Sequence, residues 1–162
     1  MKVISGGQTG VDRAALDAAI SNSIEHGGWC PRGRLAENNA VIPDKYHLNE
    51  TITDQVNERT QLNIRDADAT LIILPDKNHI IKDGTQFTMD EIKRQGKCFL
   101  MIYLDNNSDN AGAILEWLQN NNINVLNVAG PRESNAPGIY QQSFELLNGV
   151  FMQLAAKPCL KK

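Results

Sequence analysis

The sequence contains few cysteines, and its metal-binding side chains do not cluster. Its three cysteines, Cys30, Cys98 and Cys159, are scattered and fit neither a disulfide framework nor the spacing of a zinc site. The three histidines are also far apart along the chain. We therefore expect a protein of the reducing cytoplasm that coordinates no metal directly.

The chain also lacks an excess of basic charge and long apolar runs. A net charge of −3 over 162 residues argues against a nucleic-acid-binding protein, which usually has a basic face. No apolar run approaches the roughly 18–20 residues that a membrane span requires. Met1 leads directly into the first predicted strand, so we expect no signal peptide. These absences favour a small-molecule partner, with no nucleic acid and no membrane.

Two common catalytic motifs are missing. No Lys-Ser or Lys-Thr pair follows Gly10, so the opening glycine-rich loop is not a P-loop. No serine lies in a Gly-x-Ser-x-Gly turn, so a hydrolase triad is not indicated. The remaining composition, 41% hydrophobic and 22% charged, is that of an ordinary globular protein, and we expect one domain over residues 1–162.

Apolar runs alternate with helical patterns from end to end. The predicted strands are Lys2–Ser5, Gly28–Cys30, Ala69–Leu74, Cys98–Leu104 and Val125–Ala129. The predicted helices are Val11–Glu25, Thr53–Asp66, Gln86–Arg94, Ala111–Asn121 and Ile139–Ala156. Two of the strands are continuously apolar, as in a parallel sheet covered on both faces. The pattern predicts an α/β fold with an open, doubly wound, mostly parallel sheet flanked by helices.

The first strand runs into a glycine-rich turn and then into an alanine-rich helix. Such a turn lets the backbone approach a ligand, and the helix N-terminus favours an anion. Thr9 and Asp12 have the spacing of a capping box, which places the helix start near Val11. The candidate anion-binding residues of this loop are Gly6, Gly7, Gln8, Thr9 and Gly10.

Arg13 lies in the first turn of that helix, where a cation opposes the helix dipole. A bound anion would explain its position, and we interpret Arg13 as a ligand residue. The alternative is a surface pair with Asp17 at i, i+4 spacing.

Two further arginines follow the second predicted strand. Arg32 and Arg34 flank Gly33, and arginine forks recognise phosphate in a bidentate manner. A solvated basic loop is the equally weighted alternative. Cys30 precedes this loop and is more simply a small buried hydrophobe than a reactive thiolate.

Two later segments also follow predicted strands. Gly84, Thr85 and Thr88 open a helix, which is either a further anion-binding N-terminus or a simple cap. Gly130, Arg132 and Ser134 lie in a turn after the last strand. Because ligands of open parallel sheets bind outside the carboxyl ends of the strands, these segments are expected to converge on one site.

At these segments the chain resembles the molybdenum carrier proteins. The resembling phrases are Ser5-Gly6-Gly7-Gln8-Thr9-Gly10-Val11-Asp12-Arg13-Ala14-Ala15-Leu16, Gly28-Trp29-Cys30-Pro31-Arg32-Gly33-Arg34 and Asn127-Val128-Ala129-Gly130-Pro131-Arg132-Glu133-Ser134. The resemblance implies a Rossmann-like α/β/α sandwich, a homo-oligomer, and a phosphate-bearing ligand such as molybdopterin (the molybdenum cofactor) or a nucleotide. In that cofactor the pterin's own sulfurs hold the metal.

That group is similar in turn to the lysine-decarboxylase-like phosphoribohydrolases, whose signature is Gly-Gly-x-Gly-Thr-x-x-Glu. Aligning Gly84-Thr85 with this signature places Thr88 at the glutamate, and a hydroxyl cannot replace a catalytic carboxyl group. The first hypothesis is therefore a binding protein. A phosphoribohydrolase using a displaced carboxylate (Asp83, Asp90 or Glu91) and a nucleotide sensor acting with a partner protein are the alternatives.

Overall fold

The computed structural model describes residues 1–81, 84–104 and 109–156. The strands are β1 (Lys2–Ile4), β2 (Glu25–Gly27), β3 (Trp29–Cys30), β4 (Asn49–Glu50), β5 (Ala69–Leu74), β6 (Cys98–Tyr103) and β7 (Val125–Ala129). The helices are α1 (Val11–Ser21), α2 (Val56–Asp66), α3 (Gly84–Gln95), α4 (Asn110–Asn120) and α5 (Ile139–Ala156). Two 3₁₀ turns, Arg32–Arg34 and Glu37–Asn39, lie between β3 and β4.

Five strands form one parallel sheet in the order β2-β1-β7-β5-β6. Helices α1, α4 and α5 pack on one face, and α2 and α3 on the other. This is the predicted three-layer, Rossmann-like α/β/α arrangement. A second parallel pair, β3 with β4, lies outside the main sheet.

Strand β5 shows why its sequence is continuously apolar. All six of its residues are buried. Leu71 and Ile73 belong to the core under α1, α4 and α5, whereas Ile72 and Leu74 belong to the core under α2 and α3. Because successive side chains of a strand point to opposite faces, a strand covered on both sides requires an apolar residue at every position.

The region after α1 differs from the prediction. The helix ends at Ser21 instead of continuing to Glu25, and Asn22 caps it by donating from Nδ2 to the carbonyl of Ala18. Residues Glu25–Gly27 then form β2, the edge strand that pairs with β1. This three-residue strand needs no apolar run, because hydrogen bonds to β1 hold it in the sheet. The predicted strand Gly28–Cys30 is correspondingly reduced to β3.

The connections that leave the sheet set the place of the site. The chain runs from β1 through α1 on one face, and from β5 through α3 on the other. Strand β7 lies between β1 and β5. A crevice at the carboxyl ends of the strands is expected where neighbouring connections leave on opposite faces.

None of the helices in the described ranges is long and apolar enough to cross a membrane.

Candidate functional site

A cleft of about 630 Å³, counted to its open mouth, lies at the carboxyl ends of β1 and β7. Helices α2 and α3 form its other walls. Three of the predicted segments meet there. The predicted residues that line it are Gly6, Gln8, Gly84, Thr85, Thr88, Gly130 and Arg132.

The loop after β1 forms the floor of the cleft. Gly10 has a φ of 77°, and a Cβ at this position would lie 2.4 Å from the carbonyl oxygen of Pro131. That carbonyl also accepts a hydrogen bond of 3.3 Å from the amide of Val11. Only glycine allows this approach, which packs the loop against the turn after β7.

The predicted capping box is wrong. Helix α1 has Gly10 as its N-cap, with no hydrogen bond from a side chain to the cap. Thr9 donates its hydroxyl to Glu37 instead. Asp12 accepts hydrogen bonds from the amide of Gln8, at 3.2 Å, and from Arg59. Both side chains therefore serve longer-range contacts that local spacing does not reveal.

Arg59 of α2 is the cleft residue that sequence reasoning missed. Its Nη1 lies 2.9 Å from Oδ2 of Asp12, and both side chains are about nine-tenths buried. A Cβ on Gly6 would lie only 1.6 Å from that Nη1, so the glycine makes room for the guanidinium above the loop. The Nε of Arg59 is buried and has no hydrogen-bond partner in the described residues. The protein thus orients Arg59 without satisfying all of its donors.

The turn after β7 supplies the opposite wall. A Cβ on Gly130 would lie 2.4 Å from the carbonyl oxygen of Ile73. The half-buried Arg132 follows and lines the cleft. Asn127, which precedes this turn on β7, lines the cleft too and donates a hydrogen bond of 3.2 Å to the hydroxyl of Thr70 on β5.

The N-terminus of α3 closes the cleft. Thr85 and Thr88 are buried, and the hydroxyl of Thr88 donates 2.8 Å to the carbonyl of Gly84. The positive end of the helix dipole therefore faces a cleft that contains two arginines and, among the described lining residues, one carboxylate. This environment suits an anion.

Family models and solved structures identify the chain's relatives. The model of the circularly permutated YpsA SLOG family matches residues 3–151. The chain belongs to this family.

A crystal structure of a putative molybdenum carrier protein from Syntrophus aciditrophicus SB is similar to the chain. The two are 46% identical, with a TM-score of 0.86 over 93% of this chain and 94% of the other. This agrees with the family resemblance of the sequence. No curated protein gives a significant match.

Several predicted residues of this family member lie beside the cleft instead of lining it. Arg13 donates from Nε to the carbonyl of Gly7 at 3.1 Å, and its Nη2 is buried without a partner in the described residues. It does not form the alternative pair with Asp17. That carboxylate accepts from Lys45 and from two tyrosine hydroxyls.

The 31–48 segment, which covers residues 31 to 48, contains the other two predicted arginines. Arg34 donates hydrogen bonds of 2.9–3.3 Å to four backbone carbonyls within this segment, those of Ile42, Pro43, Tyr46 and Leu48. Arg32 is exposed and borders a separate groove. Neither arginine lines the cleft.

Glu37 joins the 31–48 segment to the site. Its carboxylate accepts hydrogen bonds from the hydroxyls of Thr9 and Ser134, and its amide donates 3.2 Å to Oε1 of Gln8. Burial opposes ionisation of this carboxyl group, but the bonds from Ser134 and Thr9 and the charge of Arg132 lower its pKa below the usual 4.5. The hydroxyls of Thr9 and Ser134 are therefore bound to a carboxylate of the protein itself.

Asp17 anchors the same segment to α1 and α5. It accepts 3.0 Å from the hydroxyl of Tyr46 and 2.8 Å from that of Tyr140. Burial, together with the hydrogen bond to Asp17 and its charge, raises the pKa of Tyr140 to about 12. Both hydroxyls therefore stay protonated donors.

The structure describes Cys30 and two of the three carboxylates that a phosphoribohydrolase could use. Cys30 is fully buried, in agreement with the apolar interpretation, and burial raises the pKa of its thiol. Glu91 is buried, and its Oε1 lies 2.6 Å from Nη2 of Arg94. It does not line the cleft. Asp90 is exposed and accepts from Gln86, whereas Asp83 lies outside the described residues.

The signal for Arg59 is weak in the sequence. It belongs to a polar helix that no glycine turn introduces, and its partner Asp12 lies 47 positions away. Asn63, one helical turn later, also lines the cleft. Its side-chain amide accepts a hydrogen bond from the backbone amide of Trp29 and donates one to the carbonyl of Trp29. The i, i+4 spacing of Arg59 and Asn63 is visible in the sequence, but their burial is not.

No group of three His, Cys, Asp or Glu side chains within the described ranges could hold a metal ion.

Proposed function

We propose that this protein binds a phosphate-bearing small molecule in the cleft, either the molybdenum cofactor molybdopterin or a nucleotide. The observation that carries the proposal is Arg59, which Asp12 orients over Gly6 and which lines the cleft together with Arg132 and the N-terminus of α3. Two arginines and a helix N-terminus around one open cleft favour an anionic ligand.

The phosphate would lie between two cationic walls. Arg59 and Arg132 supply the charge, and Thr85 at the N-terminus of α3 supplies a hydroxyl and the helix dipole. Gly6 and Gln8 provide the floor. Residues beside the cleft would hold this loop in place, namely Gly7, Thr9, Gly10, Arg13 and Ser134.

The relative from Syntrophus supports a molybdenum-containing ligand, because it is described as a putative molybdenum carrier protein. Molybdopterin carries its metal on its own sulfurs, so a binding protein needs to recognise only the phosphate and the organic part. We further propose that the protein acts in the cytoplasm as a homo-oligomer, as the family resemblance implies.

Binding without turnover is the form of the proposal that the carboxylates favour. Glu91 is paired with Arg94, and Thr88 occupies the position of the phosphoribohydrolase glutamate. Asp12 is the carboxylate that lines the cleft among the described residues, and it is engaged by Arg59. A hydrolase that used the described carboxylate of the cleft would have to release Asp12 from this pair.

A thermal-shift panel tests the proposal. It contains AMP, GMP, molybdopterin and molybdate, with inorganic phosphate as the reference anion. A ligand at about a hundred times its Kd adds about 2.7 kcal/mol, which for a chain of this size raises Tm by roughly 5–10 °C. We expect such a shift for at least one phosphate ester. No shift with any of these compounds would contradict the proposal.

Two variants and a control locate the binding. Arg59→Ala and Arg132→Ala should each reduce the ligand-induced shift by about half or more, measured against the variant's own Tm. The control is Arg65→Ala, on α2 like Arg59. Arg65 pairs with its neighbour Asp66, and the variant should keep the full ligand-induced shift. Release of free base from AMP, detected by chromatography of the same samples, would instead favour the hydrolase.

A further inference from the structure

We propose that the ligand carries a fused nitrogen heterocycle, a purine or a pterin, and that this ring binds in a second cleft beside the first. This inference rests on the proposed function, because the ring would be attached to the phosphate group held by Arg59 and Arg132.

The second cleft adjoins the first. It measures about 780 Å³ to its open mouth and is lined by Asn78, His79, Ile80, Thr85, Pro131 and Asn135. Three of these residues, Thr85, Pro131 and Asn135, also line the first cleft. The two clefts therefore adjoin at these residues, and a ligand anchored at the N-terminus of α3 would reach the second cleft past them.

The walls of the second cleft include an exposed apolar side chain. Ile80 is 70% exposed, although isoleucine is among the residues most often buried. It lies in the loop after β5, and the buried Pro131 lies in the loop after β7. Small-molecule sites combine apolar walls with a few polar groups, and a flat ring between these two residues would cover Ile80 from water.

The polar groups suit the edge of such a ring. The side-chain amides of Asn78 and Asn135 are exposed and have no hydrogen-bond partner in the part of the chain that the structure describes. Each amide offers a donor and an acceptor side by side, the pattern that asparagine uses to recognise adenine. Among the six lining residues, His79 is ionisable and none is an arginine, lysine or carboxylate.

Isothermal titration calorimetry tests the ring site. The probes are AMP, GMP, a phosphorylated pterin and ribose 5-phosphate, which carries a phosphate but no ring. We expect at least one ring-bearing probe to bind roughly tenfold or more tightly than ribose 5-phosphate, as base stacking on a protein surface implies. Whether the purines or the pterin bind best distinguishes the two sources of the ring.

Variants at the exposed positions separate this inference from the proposed function. Ile80→Ser and Asn78→Ala, at residues that line the second cleft and not the first, should weaken the preferred ring-bearing probe at least fivefold and leave ribose 5-phosphate unchanged. Ile52→Ser, at an isoleucine that is 83% exposed and lines neither cleft, is the control and should change nothing. Equal binding of all four probes would overturn the ring site and leave the phosphate site standing. No binding of any probe would overturn both.

Discussion

The 31–48 segment and the cleft both contain arginine beside glycine, but they use arginine in opposite ways. In the 31–48 segment, Arg34 gives its donors to four backbone carbonyls of its own loop. In the cleft, Arg59 meets one carboxylate and keeps a buried Nε that no described residue satisfies. The comparison teaches that the partners of an arginine, more than its neighbours in sequence, separate a structural role from a binding one.

The largest effect is expected from glycines of the two regions. Gly10 in the cleft loop and Gly33 in the 31–48 segment both have a φ of 77°. Gly10→Ala would add strain and place a Cβ 2.4 Å from backbone, whereas the nearest atom to a Cβ at Gly33 is 3.7 Å away. We expect Gly10→Ala to cost about 3 kcal/mol or more and Gly33→Ala about 1 kcal/mol, measured by urea unfolding. Equal losses would show that the cleft loop is not packed as described.

The second prediction concerns the two arginines of the 31–48 segment. Arg34→Ala removes up to four charge-assisted hydrogen bonds and should lower the free energy of unfolding by about 2–3 kcal/mol. Arg32→Ala changes an exposed residue and should stay within about 0.5 kcal/mol. A direct role in phosphate binding would appear as a loss of affinity in Arg32→Ala without a loss of stability, and this result would break the contrast between the regions.

The third prediction concerns affinity in the cleft. Arg59→Ala should weaken binding of the best phosphate ester by at least tenfold, about 1.4 kcal/mol, because it removes a charged donor from the site. Equilibrium dialysis measures this directly. Arg65→Ala should retain the affinity of the unmodified protein. If both variants bind equally well, Arg59 serves only to neutralise Asp12.

The smallest effect is the pH dependence of Glu37, which links the two regions. Its pKa is lowered in the folded protein, so its contribution to stability is present above the ordinary pKa of 4.5 and is lost as the pH falls through the lower folded value. At pH 7 Glu37→Gln should cost about 1 kcal/mol, from weakened bonds with Thr9 and Ser134. The difference from the unmodified protein should shrink below pH 4.5 in urea titrations. A constant difference would exclude this linkage.

Much of the fold could be predicted because its signals are local. The apolar runs of β5 and β6, the glycine turn before α1 and the apolar stripes of the helices each act within a few residues. Strand β2 could not be predicted, because Glu25–Gly27 is held by hydrogen bonds to β1 rather than by apolar side chains.

The cleft was predicted at its glycine turns and helix starts but not at its charged centre. Gly6, Thr85 and Arg132 follow strands or open helices, which are recognisable positions. The pair of Asp12 and Arg59 arises only when the fold brings Arg59 of α2 to the first turn of α1, and no spacing of residues encodes it. The same reason hides the carbonyl partners of Arg34, since they depend on how the 31–48 segment folds back on itself.

A crystal structure of the protein soaked in tungstate tests the central claim most directly. Tungstate is a tetrahedral dianion like phosphate and molybdate, and its anomalous scattering locates it without any assumption about the rest of the ligand. We predict an anomalous peak in the cleft between Arg59, Arg132 and the N-terminus of α3. A peak on Arg32 in the 31–48 segment, with the cleft empty at the same tungstate concentration, would contradict the account.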